Sequence, residues 1–137
     1  MRGMRSEGRK RRFGISIPEA LARDLDKLAE AFSTDRSRLV DQAIRAFVQE
    51  HRHHLAPHEC LGLFVVVALS GKSKMVDLLE DFRDVIQGYN HFHARDYCIE
   101  VVVVSGHSER IKALHMALLE AEGCSVRYVP LIHEARR

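Results

Sequence analysis

Arg12-Phe13-Gly14-Ile15-Ser16-Ile17-Pro18 alternates polar and apolar side chains and then stops at a proline. On a strand, successive side chains point to opposite faces, so Phe13, Ile15 and Ile17 share one face while Arg12, Gly14 and Ser16 share the other. Pro18 lacks a backbone N–H and suits the first turn of a helix. Leu21, Leu25, Leu28 and Phe32 then follow the helical period. Ser33-Thr34-Asp35-Arg36-Ser37 breaks that helix and offers Thr34 or Asp35 as the cap of a second one. The second helix carries Leu39, Val40, Ala43, Ile44, Phe47 and Val48 on a single stripe.

A lone strand with two amphipathic helices leaves its ladder unpaired and two apolar stripes open, so a second copy of the chain is expected to complete it. Two such strands paired antiparallel over four helices make a ribbon whose width fits the DNA major groove. Residues 9–53 resemble a ribbon-helix-helix domain, and the resemblance places Arg12, Gly14 and Ser16 where that family reads bases. Arg12 can contact guanine with two hydrogen bonds, Ser16 can donate or accept at a base edge, and Gly14 allows only close approach where the family usually has Thr or Ser. The start of the second helix, at Arg36 and Ser37, is expected to offer backbone N–H groups to a phosphate.

Charge agrees with this reading. The chain of 137 residues has a net charge of +2, yet residues 1–12 hold six basic side chains against Glu7, which leaves the rest mildly acidic. A basic arm on an acidic body suits a polyanion bound at one end. The apolar stretches near 61–69 and 99–104 are too short to span a bilayer, the basic N-terminus does not lead into a secretory core, and three cysteines without disulfide spacing fit a cytoplasmic protein.

Beyond position 60 the pattern changes. A buried strand is expected over 61–69, a turn at Ser70-Gly71, a helix over 73–87, strands over 89–93 and 97–104, a helix over 108–121 ending before Gly123, and a last strand over 126–131. That order is βαββαβ, the ferredoxin-like arrangement, and is similar to ACT-type sensing domains, which associate through their sheets. The chain is thus expected to be α+β, with a basic arm over 1–11, a ribbon-helix-helix (βαα) domain over 12–53, a linker over 54–60 and an ACT-like domain over 61–133.

His91-Phe92-His93-Ala94-Arg95-Asp96-Tyr97-Cys98 carries the chemistry. His91 and His93 point to one face of a strand, and a four-residue hairpin loop over 94–97 sets Cys98 opposite His93 on that face. Two imidazoles and a thiolate favour nickel, cobalt, copper or zinc over magnesium or calcium. Glu100 lies two residues past Cys98 on the same face, either as an acceptor orienting a histidine or as a surface carboxylate. The histidines of His51-Arg52-His53-His54, with His58 and Cys60, read as a solvated connector more readily than as a metal site, since no regular element holds them together. His107 and His115 read as helix-surface residues, and Cys124 as a small buried one.

A ribbon-helix-helix segment, a βαββαβ domain and an H-x-H…C-x-E element in this order resemble the nickel-responsive regulators, NikR. The resemblance implies a metal-responsive repressor of metal-uptake genes, with nickel as the ion. It further implies a homotetramer bound to a palindromic double-stranded operator, with a fourth ligand, a histidine, supplied by a neighbouring subunit eleven positions before the first strand histidine. Here that position is Glu80, and the gap between His93 and Cys98 is one residue shorter than in the family. A carboxylate fourth ligand relaxes the preference for a planar d⁸ ion and admits cobalt, zinc or copper. Arg38 and Gln42 stand where the family often has acids that hold a second cation, so the fixed charge of Arg38 can take that cation's place. The alternatives are a metal-independent repressor with a degenerate sensor and a regulator that reads a small metabolite in the ACT manner. An enzyme is not expected, since no nucleophile–base pair or phosphate loop is visible.

Overall fold

The computed structural model describes residues 8–71, 75–121 and 123–132. They fall into two compact units, Met1–Gln42 and Ala43–Arg137. The parts of the expected arm at 1–7, of the expected helix at 73–74 and of the expected domain end at 133 lie outside the described residues.

In the first unit, helix α1 (Glu19–Ala31) begins directly after Pro18. It ends through Ser33, which takes a positive φ of 54° while the Thr34 N–H reaches back to the Ala29 carbonyl at 2.9 Å. Helix α2 (Arg36–Glu50) starts at Asp35, whose carboxylate accepts the Arg38 N–H at 2.9 Å. Of the two caps expected, Asp35 therefore takes the role. Residues 10–18 carry no ladder within this single chain. Phe13 (72% exposed), Ile15 and Ile17 of that segment, with Leu21, Leu28 and Phe32 of α1, are all exposed, and Ala29 is the buried apolar side chain of the unit among the described residues.

The second unit begins with the end of α2, passes through a 3₁₀ turn (Arg52–His54) and enters the sheet domain. Its strands are β1 (Glu59–Leu69), β2 (Ile86–Ala94), β3 (Tyr97–His107) and β4 (Cys124–Pro130). Helix α3 (Met75–Asp81) lies between β1 and β2, and α4 (Ser108–Leu119) between β3 and β4. The order β2-β3-β1-β4, with every pair antiparallel, is the ferredoxin-like sheet. The expected helix over 73–87 is too long. It closes at Asp81, the Val85 and Ile86 N–H groups turn back onto the Phe82 carbonyl, and Ile86 pairs with Val104 as the first residue of β2. Apolar side chains at 85 and 86 satisfy helical spacing and an inward strand start equally well, so periodicity alone did not separate them.

Burial alternates strictly along β1 and over 97–104 of β3. Phe64, Val66, Val102 and Val104 face the helices and form the core with Met75, Ile111, Leu114 and Tyr128. Tyr128 lies so close over β1 that a Cβ on Gly62 would sit 2.3 Å from its hydroxyl oxygen, so glycine is required there by space and not by φ. The opposite face bears Leu63, Val65, Val67, Ile99, Val101 and Val103, all half-buried and outside the core that the helices of this unit form with the sheet among the described residues. Among the described residues no helix is long and apolar enough to cross a membrane.

Candidate metal centre

The β2–β3 hairpin closes at Ala94↔Tyr97, which leaves Arg95 and Asp96 as the turn and puts Arg95 at a φ of 57°. This register sets His93 opposite Cys98 and His91 opposite Glu100, and all four share the helix-facing side of the sheet. His91 Nε2 lies 3.0 Å from His93 Nε2, and Cys98 Sγ lies 3.8 Å from His93 Nδ1. One ligand atom from each of His91, His93 and Cys98 lies within 4.8 Å of the other two. The two rings are exposed at the sheet end and the thiol is buried, so the set is open on its imidazole side.

Glu100 proves to be buried, with no exposed surface. Its Oε1 accepts from His91 Nδ1 at 2.9 Å and from the Tyr89 hydroxyl. A proton held on Nδ1 leaves the lone pair of His91 on Nε2, the nitrogen turned toward His93. Burial and the bond to Glu100 push the Tyr89 hydroxyl up to about 12, which keeps it a donor. Tyr89 went unnoticed in the sequence because its role depends on cross-strand register with Val102, two residues from Glu100. The donor set fits a borderline transition ion: two imidazoles, one of fixed tautomer, and a thiol. Glu80 does not join it. Its carboxylate is exposed and bonded to Arg83.

The expected DNA-contacting residues lie in the first unit. Arg12, Gly14 and Ser16 are exposed, and nothing lies within 4 Å of the Cβ position of Gly14. Arg36 spends its guanidinium on Asp26 of α1, with contacts at 2.7, 2.9 and 3.0 Å, so it braces the two helices; Ser37, beside it, is exposed. Arg38 sits 3.6 Å from Asp35 in an exposed pair.

Two sequence expectations need correction. His53 is buried at 3% exposure and is not a solvated connector residue, and His115 is buried at 1% and is not on a helix surface. The 3₁₀ turn carries His53 and His54 against α4, so His53 Nε2 lies 2.7 Å and His54 Nε2 3.4 Å from His115 Nδ1. Helical spacing on α4 does place His115 in line with Ile111 and Leu118, which was the available signal. His58 and Cys60 instead pair with each other at 3.3 Å, and His107 caps α4 by accepting the Glu109 N–H. Cys124 opens β4 and is half-buried.

A ribbon-helix-helix segment joined to a ferredoxin-like domain with a His₂Cys set defines a class of two-domain regulators. Comparison with known proteins assigns the family. The model described as "Ribbon-helix-helix domain" matches residues 9–52, and that described as "NikR C terminal nickel binding domain" matches residues 70–131. The chain is 31% identical over 118 residues to a protein of Pyrococcus furiosus named "Putative nickel-responsive regulator", covering 82% of this chain and 86% of that one. Proteins of the same name from Thermococcus kodakarensis and Methanocaldococcus jannaschii are 30% and 29% identical, each over 82% of this chain and over 86% and 84% of their own lengths. The chain belongs to the family of nickel-responsive regulators. The solved structure of the uncharacterized protein TM1266 from Thermotoga maritima shares the fold, with a TM-score of 0.50 and 22% identity, over 55% of this chain and all of that one.

Proposed function

We propose that this chain is a cytoplasmic repressor that senses a transition metal, nickel by family and cobalt, zinc or copper by donor set, through His91, His93 and Cys98. The observation that carries this is the convergence of those three side chains with buried Glu100 locking the His91 tautomer. When bound, the ion would supply a fixed cross-link between β2 and β3 at the hairpin end. The fourth ligand comes from a second copy, with Glu80 as the candidate, because no further donor joins the cluster among the described residues.

Two sets of open apolar surface support a homotetramer. The exposed Phe13, Ile15 and Ile17 need a second strand and its helices, which makes the DNA-binding dimer. The outer aliphatic face of the sheet needs a second sheet, which joins two dimers. Arg12, Gly14 and Ser16 then lie on the paired ribbon facing the major groove of a palindromic operator, with the Arg36–Ser37 helix start at the phosphates. Metal tightens DNA binding only to the extent that it favours the DNA-competent assembly over the alternatives.

The test is DNA binding with duplexes selected from a randomised pool, using protein stripped of metal and then given nickel, cobalt, zinc or copper. One ion tightening binding in wild type but not in His93→Ala supports the sensor. Equal binding in every case leaves a metal-independent repressor.

A further inference from the structure

We propose that His53, His54 and His115 form a second transition-metal site, built from imidazole nitrogens alone and distinct from the His91, His93 and Cys98 set. The three rings come from two places far apart in sequence, the 3₁₀ turn after α2 and the middle of α4, and they bring one nitrogen each within 4.8 Å of the others. Metal–nitrogen bonds of about 2.0–2.1 Å separate tetrahedral ligand nitrogens by roughly 3.3 Å. The His54–His115 distance of 3.4 Å already matches, and the His53–His115 distance of 2.7 Å needs only a small opening of the rings.

The surroundings select neutral imidazole, the form that binds metal. His53 and His115 are buried against Phe64 and Tyr128, with ring centroids 4.8 Å (His53–Tyr128) and 5.2 Å (His115–Phe64) apart. Burial, reinforced by the neighbouring imidazoles, holds His53 down to about 3 and His115 down to about 4. Without metal, His53 Nε2 and His54 Nε2 both lie within hydrogen-bond reach of His115 Nδ1, which shares one bond at a time between them. Neutral imidazoles bind an ion with no net loss of a proton, by tautomer exchange that frees the nitrogens turned toward one another. His51 stacks on this group, 5.2 Å from the His115 ring, but its Nδ1 is held by the Phe47 carbonyl at 3.0 Å. Three imidazole nitrogens make a set suited to zinc, cobalt, copper or nickel. An ion there would pin the turn that follows α2 to α4.

Cobalt(II) titration of the whole chain tests this, because a thiolate ligand gives a near-ultraviolet sulfur-to-cobalt band and an all-nitrogen site does not. Wild type should take up two ions per chain, of which one produces the band. Cys98→Ser should lose the band and keep one ion. His54→Gln, at the half-buried member of the cluster, should keep the band and lose the other ion, its affinity falling by at least the 10–100-fold, roughly, that follows loss of even an outer-shell partner. His115→Gln, checked for native far-ultraviolet circular dichroism, should do the same. A wild type that binds only the thiolate-linked ion, or a second ion whose affinity is unchanged in both His54→Gln and His115→Gln, would overturn the proposal and leave the three histidines as core residues. Loss of the thiolate band in wild type would count against the His91, His93 and Cys98 site alone.

Discussion

Replacing Glu100 by Gln isolates the carboxylate that orients His91, since the substitution keeps the shape of a side chain with no exposed surface. In the wild type the carboxylate can only accept, so the proton between it and His91 belongs on Nδ1 and the lone pair on Nε2. Gln loses the charge assistance: a bond to a charged group is worth about 1.5–3 kcal/mol against about 0.5–1.5 for a neutral one. That difference is roughly 1–1.5 kcal/mol, or about tenfold in affinity. Gln also has an NH₂ group that can donate to Nδ1, which would shift the proton to Nε2 and block the ligand nitrogen. Together these effects predict a loss of about 10–100-fold in metal affinity, the range found when outer-shell partners of metal histidines are removed. Competition titration against a chromophoric chelator reads the affinity, and thermal unfolding of the metal-free protein shows whether the fold is retained. Affinity within about twofold of wild type in a folded Glu100→Gln protein, with His93→Ala as the positive control, would refute the orienting role.

Other expectations follow from single contacts. Gly62→Ala places a Cβ 2.3 Å from the Tyr128 hydroxyl oxygen, and denaturant unfolding should show a loss of about 1–3 kcal/mol from overpacking. Glu50 is held below its ordinary 4.5: burial pushes it up, but the Arg127 bond, the Tyr128 N–H at 3.0 Å and the Arg127 charge outweigh that. Its contribution is therefore complete above the unfolded carboxylate value and is lost as pH falls through the lowered one, so the acid limb of the stability curve should flatten in Glu50→Gln. Val101→Glu puts a charge among the aliphatic side chains of the outer sheet face and should reduce the assembly measured by light scattering, and with it the metal affinity of the His91, His93 and Cys98 set that a second copy completes. Arg38→Glu should create a dependence of DNA binding on added cations, and binding that ignores them would refute the fixed-charge role of Arg38.

Much of this fold was legible because its elements have unlike periods. The apolar runs over 61–69 and 97–104, bounded by turn residues, marked two central strands, and Pro18 and the Ser33–Asp35 break marked the helix starts. The His91, His93 and Cys98 juxtaposition was readable because it needs only strand alternation and one hairpin register, both local properties. The histidine cluster was not readable for the opposite reason. His53 and His115 are 62 positions apart, and what unites them is the docking of a 3₁₀ turn on α4, which no local pattern encodes. Glu50 was hidden in the same way, its carboxylate meeting Arg127 and the Tyr128 N–H at the sheet edge 77 and 78 positions on.

The partition of β3 between two jobs follows from its alternation. Cys98 and Glu100 face the helices with Val102 and Val104, while Ile99, Val101 and Val103 face outward. In the proposed sensor, a strand with ligand and orienting residues on one side and assembly contacts on the other would link the two without any moving part. A shift of β3 in register would exchange both sets at once, so the pairing His93↔Cys98 and the apolar outer face stand or fall together. His91, His93 and Cys98 lie at the hairpin end of this strand, where a metal cross-link between β2 and β3 would limit the twist of the outer pair. Any difference in free energy between assemblies that demand different twists is then a difference the ion can report, and its size bounds how strongly metal can govern DNA binding.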